Sequence, residues 1–190
     1  MEKMDILKEP KVFCIGFHKT GTTTMGKALA ILGYKVAAQF GVNDPDISLK
    51  ALPMANRIAS QFDAFEDNPW PILFKEMDKN FPGSKFILTI RESELWYKSQ
   101  CKHFGRRETP MRKWIYGKGC PEGNANIYLR RYARHNAEVA AHFKNRRNDL
   151  LVLRIGRNAG WDKLCSFLDI KAPSIAFPHE NRAEERDKGN

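Results

Sequence analysis

Apolar residues recur along the chain in two periods. Five short stretches, residues 11–15, 34–40, 62–66, 85–90 and 149–155, carry runs or alternations of apolar positions and predict β-strands. Between them the spacing turns helical. Residues 21–32 place Met25, Leu29 and Leu32 on one face, with Gly33 as a stop. Residues 48–61, 70–80, 93–104, 124–147 and 161–168 read as further helices, with Pro69 opening the second of these and Ser93 capping the third. In the long helix 124–147, Ile127, Tyr132, Val139 and Phe143 predict the buried side. Residues 41–47, with a turn or helix start at Asp44-Pro45, read as a loop. Residues 105–123, broken by Pro110, Gly117, Gly119 and Pro121, read as a surface excursion. Strands that alternate with helices predict an α/β fold of three layers, α/β/α, around a central, mainly parallel sheet. Ligands of such sheets collect at the carboxyl ends of the strands, where Gly16, Asp67 and Arg91 fall.

Composition adds little against this reading. At 190 residues, with 42% hydrophobic and 28% charged, the chain is expected to form one domain over 1–190, its core spanning about 11–182 and a charged tail following at 183–190. No apolar run is long enough to predict a transmembrane helix, and residues 1–9 mix charges without the apolar core of a signal peptide. Cys14, Cys101, Cys120 and Cys165 are scattered without Cys-x-x-Cys spacing, which suits reduced thiols in a cytoplasmic protein better than disulfides or a metal site. Charge changes the reading more. The net charge is +10, and residues 98–147 hold 13 Lys or Arg against three acids, leaving 19 of each elsewhere. Such a segment implies an anionic partner: nucleic acid, a polyphosphorylated cofactor or an acidic acceptor. A solvated basic helix face is the plainer alternative.

The chemistry concentrates in residues 11–27, Lys-Val-Phe-Cys-Ile-Gly-Phe-His-Lys-Thr-Gly-Thr-Thr-Thr-Met-Gly-Lys. A strand runs into Gly16, a loop reaches Gly21, and a helix starts among three threonines. The first N–H groups of a helix lack intrahelical acceptors and its dipole is positive there, so this corner is an anion cradle. Two glycines let the backbone approach a ligand, and Lys19 adds a full charge. The spacing Gly-x-x-x-x-Gly is that of the nucleotide phosphate-binding loop (P-loop), but Thr22 stands where a triphosphate-binding lysine would, and the lysine has moved forward to Lys19. A strand-turn-helix corner with incidental threonines is the alternative.

In this arrangement the chain resembles the sulfotransferases that use 3′-phosphoadenosine-5′-phosphosulfate (PAPS). Their loop is similar to Lys-[Ser/Thr]-Gly-Thr-[Ser/Thr], here Lys19-Thr20-Gly21-Thr22-Thr23. The family also carries a strand, an arginine and, after seven residues, a serine that hold the 3′-phosphate; Arg91 and Ser99 match it. The segments 150–155, 160–168 and 177–181 look like the family's C-terminal part, with Asp169 in place of a glycine. The resemblance spans about residues 11–182 and is weakest over 40–60 and 105–123. It implies a P-loop fold, PAPS as donor, 3′,5′-ADP as product, no metal, and a hydroxyl or amine of a small molecule or glycan as acceptor, an anionic one included. Lys19, Thr20, Gly21, Thr22, Thr23 and Thr24 would surround the 5′-phosphosulfate. Lys19 and the N–H groups of Gly21 to Thr23 would stabilise charge on the leaving group.

A general base is expected near the loop. Many family members carry histidine in His-Leu-Pro where this chain reads Asp67-Asn68-Pro69, which puts Asp67 first, Glu66 second and His18 third as candidates. Asp67 serves equally well as a cap for the helix after Pro69, and His18 as a packing residue of the cradle. Arg154, Arg157 and Arg182 are candidates to complete a phosphate or adenine pocket, and His135 reads as structural or solvent-facing. Two other functions compete: a small P-loop kinase using ATP and Mg²⁺, against which Thr22 speaks, and a nucleic-acid-binding module using residues 98–147. In that module the aromatics Tyr128, Tyr132 and Phe143 would have to be exposed, yet their spacing is that of a helix core.

Overall fold

The computed structural model describes residues 10–179; the lead-in 1–9, Arg182 and the charged tail 183–190 lie outside the described residues. Five strands, β1 (Val12–Cys14), β2 (Val36–Ala37), β3 (Ala64–Phe65), β4 (Lys85–Thr89) and β5 (Leu150–Leu153), form one sheet in the order β2-β3-β1-β4-β5. All neighbours are parallel, with Val12 opposite Ala64 on one side and Lys85 on the other. Among the described residues seven helices flank it: α1 (Thr22–Ile31), α2 (Ile47–Ala59), α3 (Phe74–Asn80), α4 (Ser93–Phe104), α5 (Pro110–Tyr116), α6 (Ala125–His142) and α7 (Trp161–Leu168). The α/β fold expected from the alternation of periods is therefore present.

The alternation of side chains along β1 shows why both faces are covered. Val12 and Cys14 join Ala64, Ile87 and Leu153 against Met25 and Leu29 of α1 and Leu164 of α7. Phe13 and Ile15 face the opposite way, with Phe65 and Phe86, into a larger cluster fed by α2, α3, α4 and α6. Phe13 stacks on Phe65 and Phe86 at 4.5 and 5.4 Å between ring centroids. A strand buried on both faces reads as an unbroken apolar run, which is how Val12 to Ile15 reads. Among the described residues no helix is long and apolar enough to cross a membrane.

Several local expectations are corrected. The strand expected over 34–40 contracts to Val36–Ala37, because only these two residues find partners on β3, and the chain then leaves the sheet as Phe40 N–H bonds Asn68 O. The strand expected over 149–155 is Leu150–Leu153, since a 3-10 turn at Arg147–Asp149 precedes it and Arg154 N–H turns aside to Asn158 Oδ1. The helix expected from residue 70 begins at Phe74, because residues 69–73 form overlapping turns instead of a continuous helix. Asp67 therefore does not cap that helix. Helix α4 is capped by Glu92, not Ser93, its carboxylate accepting from Glu94 and Leu95 N–H.

The largest correction lies in 105–123. It is not a surface excursion: α5 sits there with Met111, Arg112, Ile115 and Tyr116 buried. Thr109 caps its start, Pro110 occupies its first turn, and Gly117 closes it in the left-handed conformation. In α6 the buried stripe is Tyr128, Tyr132, His135 and Val139, so Ile127 is off the core face and His135 is inside.

Candidate active site

The loop from Gly16 to Gly21 crosses the carboxyl end of the sheet and is held by contacts that leave it almost no freedom. Thr20 Oγ1 lies 2.6 Å from Phe17 O and 2.6 Å from Thr89 Oγ1 at the end of β4. A side chain at position 16 would put its Cβ 2.0 Å from Thr89 Oγ1 and 2.4 Å from Thr89 O, so only glycine fits. At position 21, φ is +106° and a Cβ would stand 2.3 Å from Ile155, so this glycine too is dictated by backbone and by space. Gly21 precedes α1 without any side-chain cap, and the first intrahelical acceptor is found by Met25 N–H, on Gly21 O at 3.1 Å. The opening turn of α1 thus presents its N–H groups to the loop.

His18 forms the floor. Its carbonyl accepts from Trp96 Nε1 at 3.0 Å and from Gln100 Nε2 at 2.9 Å, which ties the loop to α4. Its ring pairs through Nδ1 with the Asn68 amide and through Nε2 with Tyr116 Oη at 3.2 Å. Burial, reinforced by the nearby Arg112 charge, holds the His18 imidazole down to about 3, so it is neutral. Helix α6 braces the same region from behind. Tyr132 Oη accepts from Arg91 N–H and donates to Arg91 O, both at 2.9 Å, and His135 Nε2 bonds Ile15 O at 2.7 Å. Burial keeps His135 neutral as well, with its pKa lowered to about 4.

These elements enclose a cleft of about 1150 Å³ at the carboxyl ends of the strands. Lys19, Thr20, Gly21, Thr22, Thr23 and Thr24 line it, and so do Arg91, Ser99, Asp67 and His18. Ser99 joins Arg91 because α4 starts immediately after β4 and runs along the cleft wall with Leu95, Lys98 and Lys102 on the same side. Glu66 is placed differently. It does not line the cleft; its side chain packs toward α1, where a Cβ on Gly26 would lie 3.0 Å from its Cγ. Of the further arginines, Arg154 and Arg157 line the cleft, whereas Arg182 lies outside the described residues.

Sequence reasoning missed Gln39, Asn43, Lys98, Lys102, His103 and His179, which also line the cleft. Lys98 and Lys102 were open to recognition, since they flank Ser99 at helical spacing; Gln39 and Asn43 carried no signal. The cleft walls hold eight Lys or Arg (19, 91, 98, 102, 107, 112, 154 and 157) against two carboxylates, Asp67 and Glu92. Such an excess suits a polyanion.

The carboxylates beside the loop are perturbed in a common direction. Burial raises the Asp67 carboxyl above its ordinary range, opposed by Asn68 N–H on Oδ1 at 2.7 Å and by the Thr22 hydroxyl on Oδ2 at 3.4 Å. Burial, then the Asp67 charge, lifts Glu66 to about 7, and its Oε2 is buried without a hydrogen-bond partner. Lys19 and Asp67 both hold left-handed backbone, with φ of 68° and 67°.

A family model described as a sulfotransferase domain matches residues 11–122 and 109–186. The chain belongs to this sulfotransferase-domain family. No curated protein matches the chain. Among solved structures, shikimate kinase from Acinetobacter baumannii in complex with shikimate is similar at 13% identity, over 72% of this chain and 94% of that chain, with a TM-score of 0.39. Within the sulfotransferase domain, the cleft lies wholly in the matched region.

Two outcomes follow from this geometry. Thr20→Val removes a buried hydroxyl and leaves Phe17 O and Thr89 Oγ1 short of a partner, so urea unfolding should show a loss of about 1–3 kcal/mol. Thr89→Val should cost a similar amount, and the double variant less than the sum. The second outcome concerns Glu66. A carboxyl whose folded pKa is raised contributes its full stability below the unfolded value and loses it as pH rises to the folded one, here between 4.5 and about 7. Glu66→Gln should therefore match the wild type near pH 4.5 and exceed it at pH 8, by about 1–3 kcal/mol after discounting for partial exposure. Equal stabilities at pH 8 would remove the case for a strained Glu66.

Proposed function

We propose that the protein transfers a sulfuryl group from PAPS to a hydroxyl or amine of a small-molecule or glycan acceptor. One observation carries the reading: the Lys19–Thr24 loop and the Arg91/Ser99 pair line a single basic cleft. Two anion sites of different character, one made of helix N–H groups and a lysine, the other of a guanidinium and a hydroxyl, suit a donor with phosphate at both its 5′ and 3′ positions. The donor set fits PAPS: the loop would take the 5′-phosphosulfate, and Arg91 with Ser99 the 3′-phosphate. When bound, PAPS supplies an activated sulfuryl group on a phosphate leaving group.

The chain's own residues then divide the work. Lys19 and the N–H groups at the start of α1 hold negative charge on the leaving side. Asp67 takes the acceptor's proton on Oδ2, the oxygen held only by the long Thr22 contact. Asp67 is preferred because it lines the cleft, whereas Glu66 packs toward α1, and both His18 nitrogens are engaged on a ring that stays neutral down to about pH 3. The raised Asp67 pKa suits this role, since a stronger base accepts the proton more readily. Helix α4 and Tyr132 keep Arg91 and Ser99 in register with the loop.

Calorimetric titration with 3′,5′-ADP in EDTA should give saturable one-site binding, and its absence would defeat the reading. Lys19→Ala should unfold at the wild-type urea midpoint yet transfer sulfuryl groups at least about 100-fold more slowly; undiminished turnover would remove Lys19 from the chemistry. Transfer should also fall as pH drops through the Asp67 pKa, at a pH above the ordinary carboxylate range. Asp67→Asn should lower the rate by about 10²–10⁴ and flatten that limb of the profile.

A further inference from the structure

The order of the strands divides the cleft. β1 is central, with β4 and β5 on one side and β3 and β2 on the other. The β4/β5 half holds Arg91, Ser99, Arg154 and Arg157, the donor half in the reading above. The other half opens from Asp67 and Asn68 after β3 and from Gln39 and Asn43 after β2. The end of α4 and the start of α5 bound it, bringing in Phe104, Met111 and Arg112.

Arg112 is the unusual member of that wall. It lines the cleft although only 4% of its surface is exposed. Its guanidinium donates through Nε to Gly119 O at 2.9 Å and through a terminal nitrogen to Arg107 O, and it lies over the Phe104 ring, 4.4 Å from the centroid. Among the described residues its hydrogen bonds go to carbonyl oxygens alone. The titratable groups acting on it include Arg107, Tyr128, Tyr116, Cys120 and the neutral His18, none of them a carboxylate. A buried cation without an opposing charge is costly, and the cost is recovered when a ligand brings that charge. A guanidinium held flat by two carbonyls and a ring is also pre-oriented for a planar or tetrahedral oxyanion.

A second observation in the same half is independent of the first. Asn68 is buried, its Nδ2 is occupied by His18, and its Oδ1 is buried with no hydrogen-bond partner. It lines the cleft directly beside Asp67. An oxygen in that state calls for a donor, which a hydroxylated acceptor supplies.

Taking the donor site as proposed above, we infer that this half of the cleft binds an acceptor carrying a fixed oxyanion, a carboxylate, sulfate or phosphate ester, which pairs with Arg112 while a hydroxyl is presented to Asp67 and Asn68. Arg112 then determines specificity. A neutral analogue would leave the buried guanidinium uncompensated and be rejected for that reason, more than for lost attraction.

Matched probes test this. The full chain, saturated with 3′,5′-ADP, is titrated calorimetrically with 4-hydroxyphenylacetate and its neutral twin 4-hydroxyphenylacetamide, and with 4-hydroxybenzenesulfonate and its sulfonamide. The anion of at least one pair should bind about tenfold or more tightly than its twin, the range of one charge-assisted contact. Arg112→Gln should reduce that preference to about twofold or less, and Arg112→Lys should keep part of it. Unchanged 3′,5′-ADP affinity in both variants would show that the donor half is intact. The inference is overturned if neither anion binds, if both twins bind as well as their anions, or if Arg112→Gln keeps the preference. Should Arg112→Gln fail to fold, the wild-type comparison and Arg112→Lys decide. Failure of 3′,5′-ADP to bind defeats the donor reading separately, because the same pairs titrated into the unliganded chain and its variants still report on Arg112.

Discussion

Two threonine hydroxyls 2.6 Å apart, one on the loop at Thr20 and one at the end of β4 at Thr89, set where everything else in the cleft can stand. The contact brings the loop so close to β4 that no side chain fits at Gly16. Because β4 runs almost directly into α4, fixing the loop on β4 also fixes it relative to Arg91 and Ser99. Helix α4 returns the constraint through Trp96 and Gln100, both bonded to His18 O, and α6 closes it through Tyr132 on Arg91 and His135 on Ile15. Loop, strand end and two helices therefore move together or not at all. Pre-organisation of this kind lets a site hold several cations near one another without spending ligand affinity on rearrangement.

Lysines and arginines outnumber the other ionisable side chains that line the cleft. Near neutral pH the imidazoles of His18 and His135 are uncharged because burial disfavours the cation, and Glu66, the carboxyl whose pKa sits near neutrality, packs toward α1 rather than into the cleft. The positive field therefore comes mainly from lysines and arginines. Asp67, which also lines the cleft, is the residue that the proposed function makes the proton acceptor. Its raised pKa is a consequence of the burial that shapes the loop, so the same packing that builds the anion cradle also makes a carboxylate more basic.

How much was legible in the sequence follows from which signals are local. The runs 11–15 and 85–90 announced the two central strands because strands buried on both faces leave unbroken apolar runs. Lys19, Gly21 and Arg91 could be placed on one cleft because each follows a strand or opens a helix, and Ser99 because it stands at the resembling family's spacing after Arg91. The edge strand β2 could not be delimited, since its two residues are defined by partners on β3 rather than by their own pattern. Helix α5 was hidden by the glycines and prolines of 105–123, although Thr109-Pro110 and Gly117 are its start and stop signals. His135 and Arg112 show the deeper limit. His135 is buried against Ile15, far away in sequence, and Arg112 against Phe104 and Arg107 before α5 and Gly119 after it, and no local periodicity reports either arrangement.

Backbone strain separates a site from a mere turn only when it is joined to position. Among the described residues, three that are not glycine hold left-handed backbone: Lys19, Asp67 and Asp169. Asp169 ends α7 as an ordinary left-handed cap in the place where the resembling family has glycine, and it does not line the cleft. Lys19, in the loop that follows β1, and Asp67, just past the end of the adjacent β3, both line the cleft, and strain joined to such a position marks a candidate site. A backbone conformation that costs on the order of 1 kcal/mol or more persists at these two positions because the loop and the Asn68–Pro69 turn are held by the packing around them. The two residues assigned to charge stabilisation and proton transfer are thus the two cleft residues whose backbone is least relaxed, an association that rests on their shared location and not on strain alone.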